Sequence, residues 1–178
     1  MIRLFSAIRI PGLLAASLVE RQHGVQDARW QPPESLHITL RFFGDIPEPQ
    51  ADDLDQALAV IGGRRFELRL EGAGYFGEGD RIRAIWAGVA ESPPLRALAA
   101  RCETAARRVG LKPETRNYTP HVTLAYLTRP DPAQVAAWLQ SHNLLKSDPF
   151  VVDRFGLYSS WPGRSGAVYR LEREYLLT

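Results

Sequence analysis

One tetrapeptide pattern occurs twice in this chain of 178 residues, as His37-Ile38-Thr39-Leu40 and as His121-Val122-Thr123-Leu124. The two histidines stand 84 positions apart, close to half the chain. Each copy follows a proline-containing loop and lies in an apolar, partly alternating run, so both are expected on strands. A pattern repeated at half-chain spacing constrains the fold, because it implies two lobes of similar build, each supplying one motif strand. The expectation is a single domain over residues 1–178 made of two pseudo-symmetric lobes.

The order of elements agrees with that reading. Ile2–Ile10 reads as a strand ending at Pro11, which opens a helix running to His23-Gly24. Leu36–Ile46 reads as a strand, and Pro47 and Pro49 introduce a helix with Leu54, Leu58 and Ile61 on one face. Phe66–Glu71 alternates as a half-buried strand, Gly72–Gly79 is a glycine-rich loop, and Ile82–Ala90 is a strand apolar on both faces. Pro93-Pro94 opens the helix Leu95–Val109, closed by Gly110; a polar loop, Lys112–Tyr118, leads to the strand His121–Leu127. Pro132 opens a fourth helix with Val135, Trp138 and Leu139 inward, and Phe150–Trp161 and Ala167–Leu177 form a closing pair around a Pro-Gly turn. About seven strands and four helices in mixed order make an α+β pattern with antiparallel elements.

Composition narrows the function classes. Lys and Arg total 22 against 20 Asp and Glu, a formal net charge of +2, which argues against a protein that coats nucleic acid. Hydrophobic residues at 45% suit a folded chain, and no apolar run reaches the roughly 18–20 residues of a membrane helix. The N-terminal segment reads as a strand rather than a signal, so a cytoplasmic protein is expected. The lone cysteine, Cys102, falls on the apolar stripe of the third helix, where packing is its expected role.

On a strand, residues i and i+2 share a face, so His37 projects with Thr39, and His121 with Thr123. Two imidazoles beside one reacting atom can act as general acid and general base, and threonine hydroxyls can donate to phosphoryl oxygens where charge gathers. That set suits in-line attack at phosphorus. The two histidines have no carboxylate or thiolate at ligand spacing and threonine binds zinc poorly, so no metal or other cofactor is expected. The alternative is that both motifs simply pack half-buried strands, but two copies at this spacing weigh against coincidence.

These residues carry a family resemblance. The doubled His-x-Thr-x motif resembles the two-histidine (2H) phosphoesterase superfamily, and more closely its LigT-like RNA 2′,3′-cyclic phosphodiesterases. Arg3–Ile8, Trp30 through Asp45, Pro120–Ala125, Leu157–Ser160 and Gly166-Ala167-x-Tyr169 are similar to successive blocks of that family. The resemblance implies a bilobal fold in which two antiparallel β-sheets form a central groove with helices packed outside. It implies hydrolysis of an RNA or nucleotide 2′,3′-cyclic phosphate end to a 2′-phosphate without a metal, by a monomer. His37 would be the proton donor to the departing 3′ oxygen, His121 the proton acceptor from water, and Thr39 and Thr123 the phosphate ligands. From chemistry alone the two histidines are interchangeable. A relative acting on 2′-5′ oligonucleotides or on a cyclic phosphate of ADP-ribose, and a non-catalytic nucleotide-binding module, are the alternatives.

One stretch departs from the family pattern. Many relatives carry an arginine soon after the second motif, where this chain reads Ala125-Tyr126-Leu127-Thr128-Arg129; Arg129 either substitutes from the strand end or lies on the surface. Phe5, Phe42, Tyr126 and Tyr158 either stack a base or pack the core. His23 and His142 follow helices without partners and are expected in solvent, as are Arg96, Arg101, Arg107 and Arg108 on the polar side of the third helix.

Overall fold

The computed structural model describes residues 1–178. In chain order its elements are β1 (Ile2–Arg9), α1 (Gly12–Val19), β2 (Arg29–Trp30), β3 (His37–Ile46), α2 (Glu48–Ala59), β4 (Phe66–Leu68) and β5 (Leu70–Phe76). They continue with β6 (Ala84–Val89), α3 (Pro93–Arg108), β7 (His121–Tyr126), α4 (Pro132–His142), β8 (Phe150–Val152), β9 (Arg154–Gly163) and β10 (Gly166–Leu176). The fold is α+β with two antiparallel sheets. The large one has the order β10-β9-β1-β3-β7-β6-β5, with β2 on β7; the small one pairs β4 with β8.

Local sequence explains the helices. In α3 the Ser92 hydroxyl accepts from the Leu95 amide, and prolines fill the first turn, where their missing N–H costs nothing. Leu95, Leu98, Ala99, Cys102, Ala105 and Ala106 are buried along one stripe, whereas Arg96, Arg101, Arg107 and Arg108 are exposed. Asp131 caps α4 in the same way through the Ala133 amide. The helix α3 packs against α2 and β3, and α4 against β5. No helix is long and apolar enough to cross a membrane.

Several elements differ from the sequence reading. Leu70–Phe76 is a strand where glycines suggested a loop: its backbone pairs with β6, and Gly72, at φ 75°, sits within an irregularity of that ladder. Glycine carries no alternation to read, so the pairing was invisible. The alternating run Phe66–Glu71 breaks at Arg69, and Phe150–Trp161 breaks at Asp153, because their outer parts leave to form the small sheet. The first helix ends at Val19 rather than near His23.

The two motif strands are neighbours. A single antiparallel pair, Ile38 with Val122, links β3 to β7 and so joins β10-β9-β1-β3 to β7-β6-β5. Both side chains are fully buried, as are Leu40 (4% exposed) and Leu124, while His37, Thr39, His121 and Thr123 are only partly covered. The ladder β1–β3 pairs Ala7 with Thr39 and then Ser6 with Arg41, leaving Leu40 as an extra residue. The ladder β6–β7 pairs Trp86 with Thr123 and then Ile85 with Ala125, leaving Leu124 extra. The same β-bulge thus follows both motifs at the same position. Replacing Ile38 by alanine is expected to lower unfolding stability by about 2–5 kcal/mol in urea titration. Val60→Ala, at a 73% exposed site, should change it little.

Candidate active site

Antiparallel register sets the site. With Ile38 opposite Val122, the next positions outward place His37 opposite Thr123 and Thr39 opposite His121. Directly opposed side chains share a face, and diagonal neighbours lie about 7–8 Å apart, with their β-carbons somewhat closer. The two imidazoles are such diagonal neighbours, a separation that admits one small tetrahedral group between them.

Both rings are anchored identically. His37 Nδ1 lies 2.7 Å from the Ser35 carbonyl oxygen, and His121 Nδ1 lies 2.7 Å from the Thr119 carbonyl oxygen. A carbonyl only accepts, so each Nδ1–H donates and each neutral ring keeps Nε2 as its free acceptor. The loop before each motif therefore fixes the tautomer and the ring plane. Tyr118 Oη donates to the Thr39 carbonyl at 2.9 Å, which ties the second loop to the first motif strand.

The walls are aromatic. Phe5 (ring centroids 5.0 Å apart) and Tyr169 (5.2 Å, edge-on) pack on His37; Phe76 (4.8 Å, edge-on) and Trp86 (5.7 Å) pack on His121. Tyr158 stacks on Phe5 in turn. Trp86 fits because Gly74 faces it across the ladder: a β-carbon there would come within 2.3 Å of the indole. Phe76, Trp86 and Tyr169 were missed by sequence reasoning, since they come from segments remote from either motif. Only the pairing of those segments with the motif strands identifies them.

Low-polarity walls disfavour the imidazolium. Burial lowers the His37 pKa to about 4, against a smaller opposing effect of its Ser35 hydrogen bond and a further lowering by His121. Burial likewise lowers His121, opposed by the Thr119 hydrogen bond. The shift is large only at His37.

The structure assembles four expected residues, His37, Thr39, His121 and Thr123, on two adjacent strands. Of the possible stacking residues, Phe5 is buried, Tyr158 half-buried, and Phe42 and Tyr126 exposed at 45% and 37%. Arg129 is exposed in the turn after β7, in a left-handed conformation with φ 46°. His23 is exposed, as expected, but His142 is not. It is buried on α4, with Nδ1 2.7 Å from the Trp138 carbonyl and its ring 4.6 Å from the Trp138 ring. A histidine at the end of an apolar stripe gains more from that packing than from water.

Both imidazoles take up protons less readily in the folded chain than in the unfolded one, whose histidines titrate near 6.5. As pH falls, the unfolded state protonates first, so this stability is complete above about 6.5 and is lost as pH falls toward about 4. Urea midpoints measured from pH 7 to 4.5 should therefore decline less steeply for a His37→Asn/His121→Asn double variant than for the wild type. Equal slopes would contradict the shifts.

Comparison with known proteins agrees with this geometry. The family model of the 2′-5′ RNA ligase superfamily matches residues 11–162. The RNA 2′,3′-cyclic phosphodiesterase of Thermus thermophilus is 34% identical over 142 residues, covering 73% of this chain and 71% of that protein. That of Aeropyrum pernix is 41% identical over 93 residues, but the match spans only 52% of this chain and 53% of the relative. The crystal structure of E. coli LigT complexed with 3′-AMP superimposes with a TM-score of 0.82 at 26% identity, covering 99% of this chain and 98% of that one. The matched region contains both motif strands and the loops that anchor their histidines, so the chain belongs to the 2′-5′ RNA ligase superfamily, the two-histidine phosphoesterases.

Proposed function

We propose that this enzyme hydrolyses the 2′,3′-cyclic phosphate of an RNA end, leaving a 2′-phosphate and a free 3′-hydroxyl. The observation that carries this reading is the matched pair of imidazoles, each anchored through Nδ1, on adjacent strands with a threonine opposite each. Relatives named RNA 2′,3′-cyclic phosphodiesterase and a LigT structure bound to 3′-AMP support the substrate class.

In the proposed step, water attacks phosphorus in line with the 3′ oxygen. His121 Nε2 accepts a proton from that water as the new P–O bond forms, while the P–O3′ bond breaks and His37 delivers its Nε2 proton to the departing oxygen. Thr39 and Thr123 donate to the non-bridging oxygens, on which negative charge builds. The assignment of acid and base follows the family. A phosphate anion between the rings stabilises imidazolium, so substrate itself promotes protonation of His37.

We further propose that the enzyme works without a metal, as two pseudo-symmetric lobes of one domain, and as a cytoplasmic monomer. No group of three or more His, Cys, Asp or Glu side chains converges in the structure to form a ligand set. Nucleoside 2′,3′-cyclic phosphates supplied with and without chelator provide the test. His37→Ala and His121→Ala should each lose about 10²–10⁴-fold in kcat with unchanged folding. Chelator should change nothing, and the product should carry a 2′-phosphate. Full activity in either variant would refute the mechanism, and a 3′-phosphate product would reverse the acid assignment.

A further inference from the structure

Arg29 is an exposed cation that no carboxylate neutralises. The ion pairs of the molecule engage Arg3, Arg41, Arg69, Arg96, Arg116, Arg154 and Arg173, but not Arg29. It is nevertheless held in place. Its backbone pairs with Tyr126 in the β2–β7 ladder, and its guanidinium carbon stands 5.1 Å from the centre of the Tyr126 ring. On the other side is Gly166, at φ 128°, the first residue of β10. A β-carbon at Gly166 would come within 3.1–3.2 Å of three guanidinium-group atoms of Arg29, so the glycine leaves the space in which that group sits.

This position lies at the edge of the candidate site. Tyr169, three residues beyond Gly166, packs edge-on against His37 and lies within interaction range of both Tyr126 and Arg29. A line of groups therefore runs from His37 through Tyr169 and Tyr126 to Arg29, and joins strands from both halves of the sheet. Arg29 is linked to the imidazoles through Tyr126 and Tyr169, which places it beside the histidine pair. A guanidinium seated on an aromatic face keeps its N–H fork free for a phosphate, and the exposed Tyr126 ring offers a base a stacking surface.

We infer that Arg29 forms a second phosphate subsite, which takes the phosphodiester immediately upstream of the cyclic end of a single-stranded RNA. The inference rests on the cyclic phosphodiesterase reading above and adds to it that the preferred substrate is at least a dinucleotide. Arg83, 5.7 Å over the ring of Phe76 beside His121, is a second exposed cation seated on an aromatic face, flanking β7 from the β6 side, and serves as the control.

The test compares a nucleoside 2′,3′-cyclic phosphate with a dinucleotide and a hexanucleotide ending in the same group. Arg29→Ala should raise KM about 10- to 100-fold for both oligonucleotides, the size of a lost hydrogen bond to a charged group, and leave the mononucleotide's kcat and KM unchanged. Arg29→Lys should recover part of the loss. For the hexanucleotide, the slope of log(kcat/KM) against log salt should shrink by about 0.7, one phosphate contact on a single strand. Equal loss on the mononucleotide, no loss on the oligonucleotides, or the same pattern from Arg83→Ala in place of Arg29→Ala would overturn the subsite. A wild type inactive on all three substrates would overturn the underlying reading and the subsite with it.

Discussion

The pairing of Ile38 with Val122 is the constraint on which the rest depends. It brings two strands 84 residues apart in sequence into one ladder, and it does so in the register that sets each histidine opposite the other motif's threonine. The register is enforced from behind. Ile38, Leu40, Val122 and Leu124 fill the core, so a slip of one residue would drive the imidazoles into apolar packing and expose the aliphatic side chains. The hydrophobic effect acting on one face of the sheet thus sets the chemistry on the other, with no direct bond between the histidines.

The second constraint is electrostatic. Both rings are surrounded by Phe5, Tyr169, Phe76 and Trp86, and each has one fixed polar partner, a carbonyl two residues earlier in the chain. That surrounding makes charge on either ring unfavourable until an anion arrives. The free site is therefore close to neutral, and the charge pattern needed for acid–base work is completed by the ligand's own phosphate.

The fold class, the motif strands and the shared face of His37 with Thr39 and of His121 with Thr123 were legible because all rest on period-two alternation and proline punctuation. What alternation could not reveal depends on partners distant in sequence. Leu70–Phe76 is a strand only because β6 supplies its ladder, and Gly74 within it admits Trp86. Phe76, Trp86 and Tyr169 lie far from either motif, so nothing local marks them as neighbours of a histidine. His142, placed in solvent by its position after an apolar stripe, is buried because Trp138 offers both a carbonyl and a ring. The anchoring carbonyls of Ser35 and Thr119 left no trace in the sequence at all, since every residue type has one.

The twin bulges put each motif strand out of phase with itself. Before Leu40 and Leu124, odd-numbered positions look into the groove; just beyond them the parity reverses, so that Phe42, opposite Phe5, and Tyr126, opposite Ala84, take their place there, until a second irregularity at Phe43 restores the first phase in β3. Each strand therefore holds two independent reading frames, one that presents the imidazole and hydroxyl and one that presents a ring further out. A change in the second frame alters what the groove receives without moving the first. Ligand preference in such a scaffold is free to drift while the histidine pair and its spacing stay fixed.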